Sequence, residues 1–240
     1  MSILNQLDTS VEAEDKDTLG RGGVLSSNIY NMIIVMAYLN QSKGGAHCVH
    51  LEVKDADGNQ HRQDIYFTNR NGENFYTRDG QRNSLPGFNQ LNSLSLLACD
   101  LPLNQLTSEE KVVNVYDFDE KKEVPVSKDV LMQWINKPIK LGILKILDDK
   151  NEKNGDGKYV PSGEVREINE IDKSFRASDG MTTTEIAAEA TEAVFINDWL
   201  DKWKDEVKTK AKGKRDPSLG ASTAAPAGTG APTPQSLFDK

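Results

Sequence analysis

Between Arg62 and Phe88 the chain reads RQDIYFTNRNGENFYTRDGQRNSLPGF. Tyr66, Phe67, Phe75, Tyr76 and Phe88 are interleaved with Arg62, Arg70, Arg78 and Arg82, and amides stand at Asn69, Asn71, Asn74 and Asn83. A single nucleic-acid strand is held by this mixture. Bases stack on flat aromatic faces, worth ~1–3 kcal/mol each, while cations track the phosphates. Lys43, in the flexible turn Asn40-Gln-Ser-Lys-Gly-Gly45, is placed to touch a phosphate backbone, and Tyr38 offers one more ring. The candidate contact set is therefore Tyr38, Lys43, Arg62, Tyr66, Asn69, Arg70, Tyr76, Arg78, Arg82 and Phe88. The same residues also admit an ordinary use, with Phe67 and Phe75 in a core and the arginines paired to Asp64, Glu73 and Asp79.

Other chemistry finds little support. The sequence has no G-x-x-x-x-G-K-[ST], no G-x-G-x-x-G and no G-x-S-x-G. An enzyme is not expected. His47, Cys48, His50 and His61 lie close together, but zinc sites usually carry a second ligand pair at matching spacing, and none follows. His47 and Cys48 would also point to opposite faces of a strand. Glu152-x-Asn154-x-Asp156-Gly157 opens like a calcium loop, yet position twelve is Gly163 where a bidentate Glu is needed. It reads as a long hairpin turn. No metal or cofactor is expected.

These side chains need elements to hold them. Residues 28–39 (NIYNMIIVMAYL) read as a long strand, apolar throughout its centre as a strand covered on both faces would be. Residues 46–54 alternate, with Val49, Leu51 and Val53 on one face and Cys48, His50, Glu52 and Lys54 on the other. Asp55-Ala-Asp-Gly-Asn59 is a hairpin turn. It leads to 60–68, where Ile65 and Phe67 oppose Arg62, Asp64 and Tyr66. That alternation makes Tyr66 the foremost stacking candidate, turned outward beside Arg62.

A helix is predicted at about 85–99, with Pro86 in its first turn, and a short one at 127–135 capped by Ser127. Further strands fit 111–116, 138–147 and 158–172. Thr182-x-x-Glu185 is a capping box opening a helix over 183–209, whose stripe is Ala193, Ile196, Leu200, Trp203 and Val207. The expected class is mainly β: an OB-like, partly open β-barrel with inserted helices and a C-terminal helix, with a β-sandwich as competitor.

The 240 residues carry 29 Lys+Arg against 37 Asp+Glu, a net charge of -8. That total argues against a nucleic-acid partner, but its distribution does not. Residues 1–20 and 91–203 hold the acidity, while 21–90, which contain seven of the sixteen aromatics and all three histidines, are near neutral. The expected organisation is an acidic flexible arm (1–20), the OB-like domain (21–178), an amphipathic helix (179–212) and a disordered Pro/Ala/Gly-rich tail (213–240). The longest apolar run is eight residues, Met32–Leu39, far short of the ~20 that span a bilayer, so no membrane role is expected. The N-terminus carries no secretory signal pattern, and two cysteines are too few for a disulfide scaffold.

The runs MAYLNQSKGGAH (36–47), YFTNRNGENFYTRDGQ with LPGFN (66–89), EEKVVNVYDFDEKKEVP (109–125) and GKYVPSGEVREINEIDK (157–173) resemble the single-stranded DNA-binding proteins of tailed bacteriophages, over roughly residues 21–205. The resemblance implies an OB-type fold without catalysis. It implies a role in coating and protecting single-stranded DNA during phage DNA replication, recombination and repair, in the cytoplasm of the infected bacterial host. A strand-annealing mediator and a structural adaptor that binds no DNA are the rival readings, and a homo-oligomer is compatible with all of them. Proteins of this functional class commonly end in an acidic, aromatic tip that docks replication partners. Leu237-Phe238-Asp239 resembles such a tip and would meet a phage polymerase, helicase or primase, although it has one acid and ends in Lys240.

Overall fold

The computed structural model describes residues 23–117, 120–155 and 159–211. The expected acidic arm and the tail tip with Leu237, Phe238 and Asp239 lie outside them. The described chain is mainly β and is built around one large antiparallel sheet.

Strand β1 (Asn28–Gln41) is its axis. One edge pairs in antiparallel register with β2 (His47–Lys54), and β2 pairs with β3 (Gln60–Tyr66) across the predicted Asp55–Asn59 turn. Gly58 takes φ 84° there. The other edge of β1 pairs through Asn28–Ile33 with β8 (Pro138–Lys153), and β8 pairs with β9 (Tyr159–Phe175). A β-bulge between Ile34 and Met36 bends β1 at the change of partners. Met32, Ile34 and Ala37 are buried, but Ile33 stays 41% exposed beside the bulge, so the strand is covered on both faces only in part.

The inner face carries the core. Val49, Leu51, Val53 and Ile65 pack there with Leu141, Ile143 and Ile171. The predicted helix forms as α1 (Pro86–Cys99) and closes one side with Leu91, Leu94 and Leu97. Its first turn lies so close to β3 that a Cβ on Gly87 would stand 2.0 Å from the carbonyl oxygen of Tyr66. The edges of β3 and β9 approach without forming a backbone ladder among the described residues. The Gln63 side chain accepts from Ile171 N (2.8 Å), and Gln90 of α1 donates to Ile171 O (2.6 Å). No closed barrel results.

Two expected helices are corrected, and one hairpin is added. The short helix at 127–135 is instead the end of strand β7 (Lys122–Val130) and a single 3-10 turn, Met132–Trp134. Ser127 caps nothing; it sits opposite Val112 of strand β6 (Glu109–Asp117) and donates to Glu110. An uninterrupted ladder with β6 outweighs the local cap signal.

The helix over 183–209 is two helices and a strand: α2 (Thr183–Ala187), α3 (Phe195–Trp203) and β10 (Val207–Thr209). The Thr182–Glu185 capping box is present, but the Glu185 carboxylate also accepts from the Val194 and Phe195 amides, both at 2.8 Å. One side chain thus satisfies the starts of two helices and folds the chain back between them. Positive φ at Glu189 and Asp205 marks the breaks. In α3 the residue turned most fully inward is Trp199, which the expected stripe omits; it lies against Gly142 of β8 and donates to Asp172 at 2.8 Å.

One element was not anticipated. β4 (Phe75–Arg78) and β5 (Gln81–Ser84) form a separate hairpin, with Asp79 and Gly80 at φ 52° and 76°. Asp-Gly between strand-like residues was a readable signal for it.

The chain divides into two compact units. The first comprises the described residues up to Lys145 with Ile168–Val207. The second comprises the described residues of Ile146–Glu167 with Lys208–Ala211. In the second, the outer parts of β8 and β9 carry Lys150–Glu164 (2.6 Å) and Asp148–Arg166 (3.8 Å) pairs, and the Lys210 and Ala211 amides donate to Leu147 O. None of the described helices is long and apolar enough to cross a membrane.

Candidate functional site

The register of β1, β2 and β3 sorts the candidate residues. Asn40, Cys48 and Tyr66 lie in one row across the sheet, Tyr38, His50 and Asp64 in the next, and Met36, Glu52 and Arg62 in a third. All of these point away from the core. Tyr66 is 46% exposed, and Arg62, two rows along on the same face, is held by Glu52 at 3.4 Å.

Tyr38 does not behave as expected. It is only 5% exposed and packs with Val113 and Val130 of the β6–β7 hairpin. His50 stacks on its ring at 4.7 Å, and the Lys128 ammonium stands 5.6 Å from its centroid. With those neighbours in place Tyr38 offers no stacking surface and instead forms the floor of the face. Burial, reinforced by Asp64 and Glu52, pushes its phenol up to about 12. Lys128 also donates to Asn40 Oδ1 at 3.0 Å, so β7 brings a cation to this face. Neither Lys128 nor His50 was among the sequence candidates; Lys128 arrives from far along the chain with no local signal.

His50 is clasped by two carboxylates, Nδ1 against Asp64 at 2.6 Å and Nε2 against Glu52 at 3.2 Å. Burial alone would lower its pKa, but these hydrogen bonds outweigh it and hold the imidazolium above its ordinary value. His61 faces the opposite way. It is buried on the inner side, and burial lowers its pKa against a weaker opposing contact from Gln63. The three histidines therefore occupy three different environments. Cys48 is buried next to Tyr66, and its thiol is pushed up to about 11, first by burial and then by Asp64.

Lys43 is exposed on a tight turn in which Gly45 N donates to Ser42 O. Gly45 has φ 92°, and a Cβ there would lie 3.1 Å from Arg70 O. The Lys43 turn and the Arg70 turn are thus packed together, and both side-chain charges are exposed. Asn69 is spent on this architecture rather than left for a base. Its Oδ1 accepts from the Asn71 and Glu73 amides and its Nδ2 donates to Glu73 Oε2. It is a turn peg.

On the β4–β5 hairpin Tyr76 is 45% exposed, Arg78 pairs with Asp79 at 3.6 Å, and the Arg82 guanidinium lies 4.6 Å over the Phe75 ring. Phe88 is half-buried. It lines an apolar groove of about 390 Å³ with Phe67, Leu39, Leu103, Leu106 and Leu131, so its ring is a groove wall rather than an exposed platform.

No protein-family model and no curated protein matches this chain.

Proposed function

We propose that this protein binds single-stranded DNA and coats it during phage DNA replication, recombination and repair, through an OB-type domain. The observation that carries the reading is the outward face of β3 and its neighbours, where exposed Tyr66 and, two rows along past Asp64, Arg62 share a face that also receives Lys128. Exposed Tyr76 with Arg78 on one face of the β4–β5 hairpin, Arg82 over Phe75 on the other, and the packed Lys43–Arg70 turns add further rings and cations. Rings without sequence-reading donors suit a strand of any sequence, because every base has a π-face.

The OB assignment draws support from strand order. Spatially the sheet runs β3-β2-β1-β8-β9, with α1 entering after the β4–β5 hairpin that follows β3, and the β3 and β9 edges meet through Gln63. A β1-β2-β3 meander with a later β8–β9 pair returning beside β1 is an order of the Greek-key kind that OB domains use, and it supports the reading.

Titrating intrinsic Tyr and Trp fluorescence with oligo-dT, duplex DNA and RNA at several salt concentrations tests the proposal. Strong, salt-sensitive quenching by oligo-dT in preference to duplex is the expected result. The absence of any quenching by oligo-dT would sink it.

A further inference from the structure

We propose that His50 sets how strongly the outward face of β1, β2 and β3 holds a phosphate chain: as an imidazolium it engages Glu52 and leaves Arg62 for a phosphate, and as a neutral ring it returns Glu52 to Arg62. The inference rests on the single-stranded DNA reading above and adds a control to that same site.

The geometry around the ring calls for two donors. His50 Nδ1 lies 2.6 Å from an oxygen of Asp64, its cross-strand partner on β3, and Nε2 lies 3.2 Å from Glu52 Oε1, two residues along β2. Ionised carboxylates only accept, so the clasp is complete when both ring nitrogens carry protons; a neutral imidazole has one N–H and would turn a lone pair toward the second carboxylate. The ring is braced from below by Tyr38, stacked at 4.7 Å with 24° between the planes, and Tyr38 is itself packed with Val113 and Val130. From the elements around it the ring meets the Tyr38 phenol of β1, Cys48 and Glu52 of β2, and Asp64 of β3 flanked by Tyr66 and Arg62. β7 adds the Lys128 ammonium, 5.6 Å from the Tyr38 centroid. Burial pushes the Tyr38 phenol to about 12 and the Cys48 thiol to about 11, so neither titrates where an imidazole does. The two carboxylates hold the ring's own pKa above 6.5 despite its burial.

Glu52 Oε1 is the shared atom, for it also stands 3.4 Å from Arg62 Nε. When the ring loses a proton, the shorter contact to Asp64 keeps the remaining N–H, and the Glu52 carboxylate is left with Arg62 as its cation. The face then carries one positive charge fewer, and its arginine is paired. Both changes oppose a phosphate.

Oligo-dT affinity, measured by fluorescence quenching from pH 6 to 9 at fixed ionic strength, tests this. Wild-type affinity should fall as pH rises, by no more than about tenfold per pH unit for a single proton. The whole fall should be roughly three- to tenfold, the effect of one unit charge a few Å from a phosphate. His50→Gln should bind at the weak level of the alkaline wild type throughout. Glu52→Gln, which takes the carboxylate from Arg62, should bind more tightly than wild type at pH 9. His47→Gln changes the exposed histidine that opens β2 and should keep the wild-type profile. Thermal melting at each pH confirms that every variant is folded; should His50→Gln not fold, Glu52→Gln decides. Proton–nitrogen NMR follows the His50 ring without DNA, and the fall in affinity should begin at the pH where the ring of the free protein titrates. A wild type that binds oligo-dT with a flat profile, a profile that His50→Gln leaves in place, or a ring that titrates elsewhere overturns this inference while the DNA reading stands. No binding at any pH overturns both.

Discussion

Tyr66 and Tyr38 lie on the same side of the sheet, yet their surroundings give them opposite uses. Tyr66 keeps nearly half its surface in solvent, while Tyr38 is roofed by the β6–β7 hairpin and stacked on His50. Tyr66→Ala is expected to weaken oligo-dT binding by ~1–3 kcal/mol with an unchanged melting curve. Tyr38→Ala should instead remove about 3 kcal/mol of stability by emptying a packed site, measured by urea unfolding. If the two variants exchanged these effects, the assignment of the face would be wrong.

The histidines give a second residue-scale prediction. His50 has a raised pKa in the fold, so the stability it contributes is complete below its unfolded value of about 6.5 and is lost as pH rises through the folded value. His61 has a lowered pKa; its contribution is present above that unfolded value and is lost as pH falls through the depressed one. Unfolding free energies measured from pH 5 to 9 should show His50→Gln removing a decline on the alkaline side and His61→Gln one on the acid side. A wild-type-minus-H50Q difference that is flat above pH 6.5 would mean that the carboxylate clasp does not persist in solution.

At the level of elements, two close approaches connect the core to the candidate site and separate fold from function. Gly87 lets the first turn of α1 rest on the Tyr66 carbonyl, an oxygen that cannot swing aside. Gly142 admits the Trp199 ring, with a Cβ position 2.9 Å from it. Alanine at either should cost ~1–3 kcal/mol by overpacking. Only Gly87→Ala should also weaken oligo-dT binding at temperatures where both variants are folded, because it displaces the backbone that carries Tyr66. Equal binding by both would disconnect α1 from the site.

The same elements show what the sequence could disclose. Alternation over 46–54 and 60–66 correctly sent Tyr66 and Arg62 outward and Val49, Leu51 and Ile65 inward, since period two in a strand is a local property. The burial of Tyr38 was not legible, because it depends on β7 returning to β1 at Val130. The two-helix turn after Thr182 was hidden for a similar reason. Glu185 announced one helix start, and nothing nearby said that its carboxylate would serve a second one at Val194 and Phe195. Asn69 failed as a site residue because an Asn that can reach a ligand can equally bind the amides two and four residues on.

Across the whole molecule, a net charge of -8 and a proposed polyanionic ligand coexist because the cations are few and localised. This limits how electrostatic binding can be. Of the candidate cations, Arg62 and Arg78 already face Glu52 and Asp79, so a phosphate contact there exchanges one anion for another and leaves a carboxylate to attract its own counterion. Lys43, Arg70 and Arg82 have no carboxylate partner within salt-bridge distance among the described residues. Each phosphate neutralised on a single strand contributes about -0.7 to the slope of log K against log salt. Three fully effective contacts give about -2, and all five about -3.5. The slope for oligo-dT should fall between these values. Arg70→Ala should make it shallower by about 0.7, whereas Tyr66→Ala should lower affinity at every salt concentration and leave the slope unchanged. A slope steeper than about -5 would require cations beyond this set. A slope near zero would mean that stacking alone holds the strand and that the arginines belong to the fold.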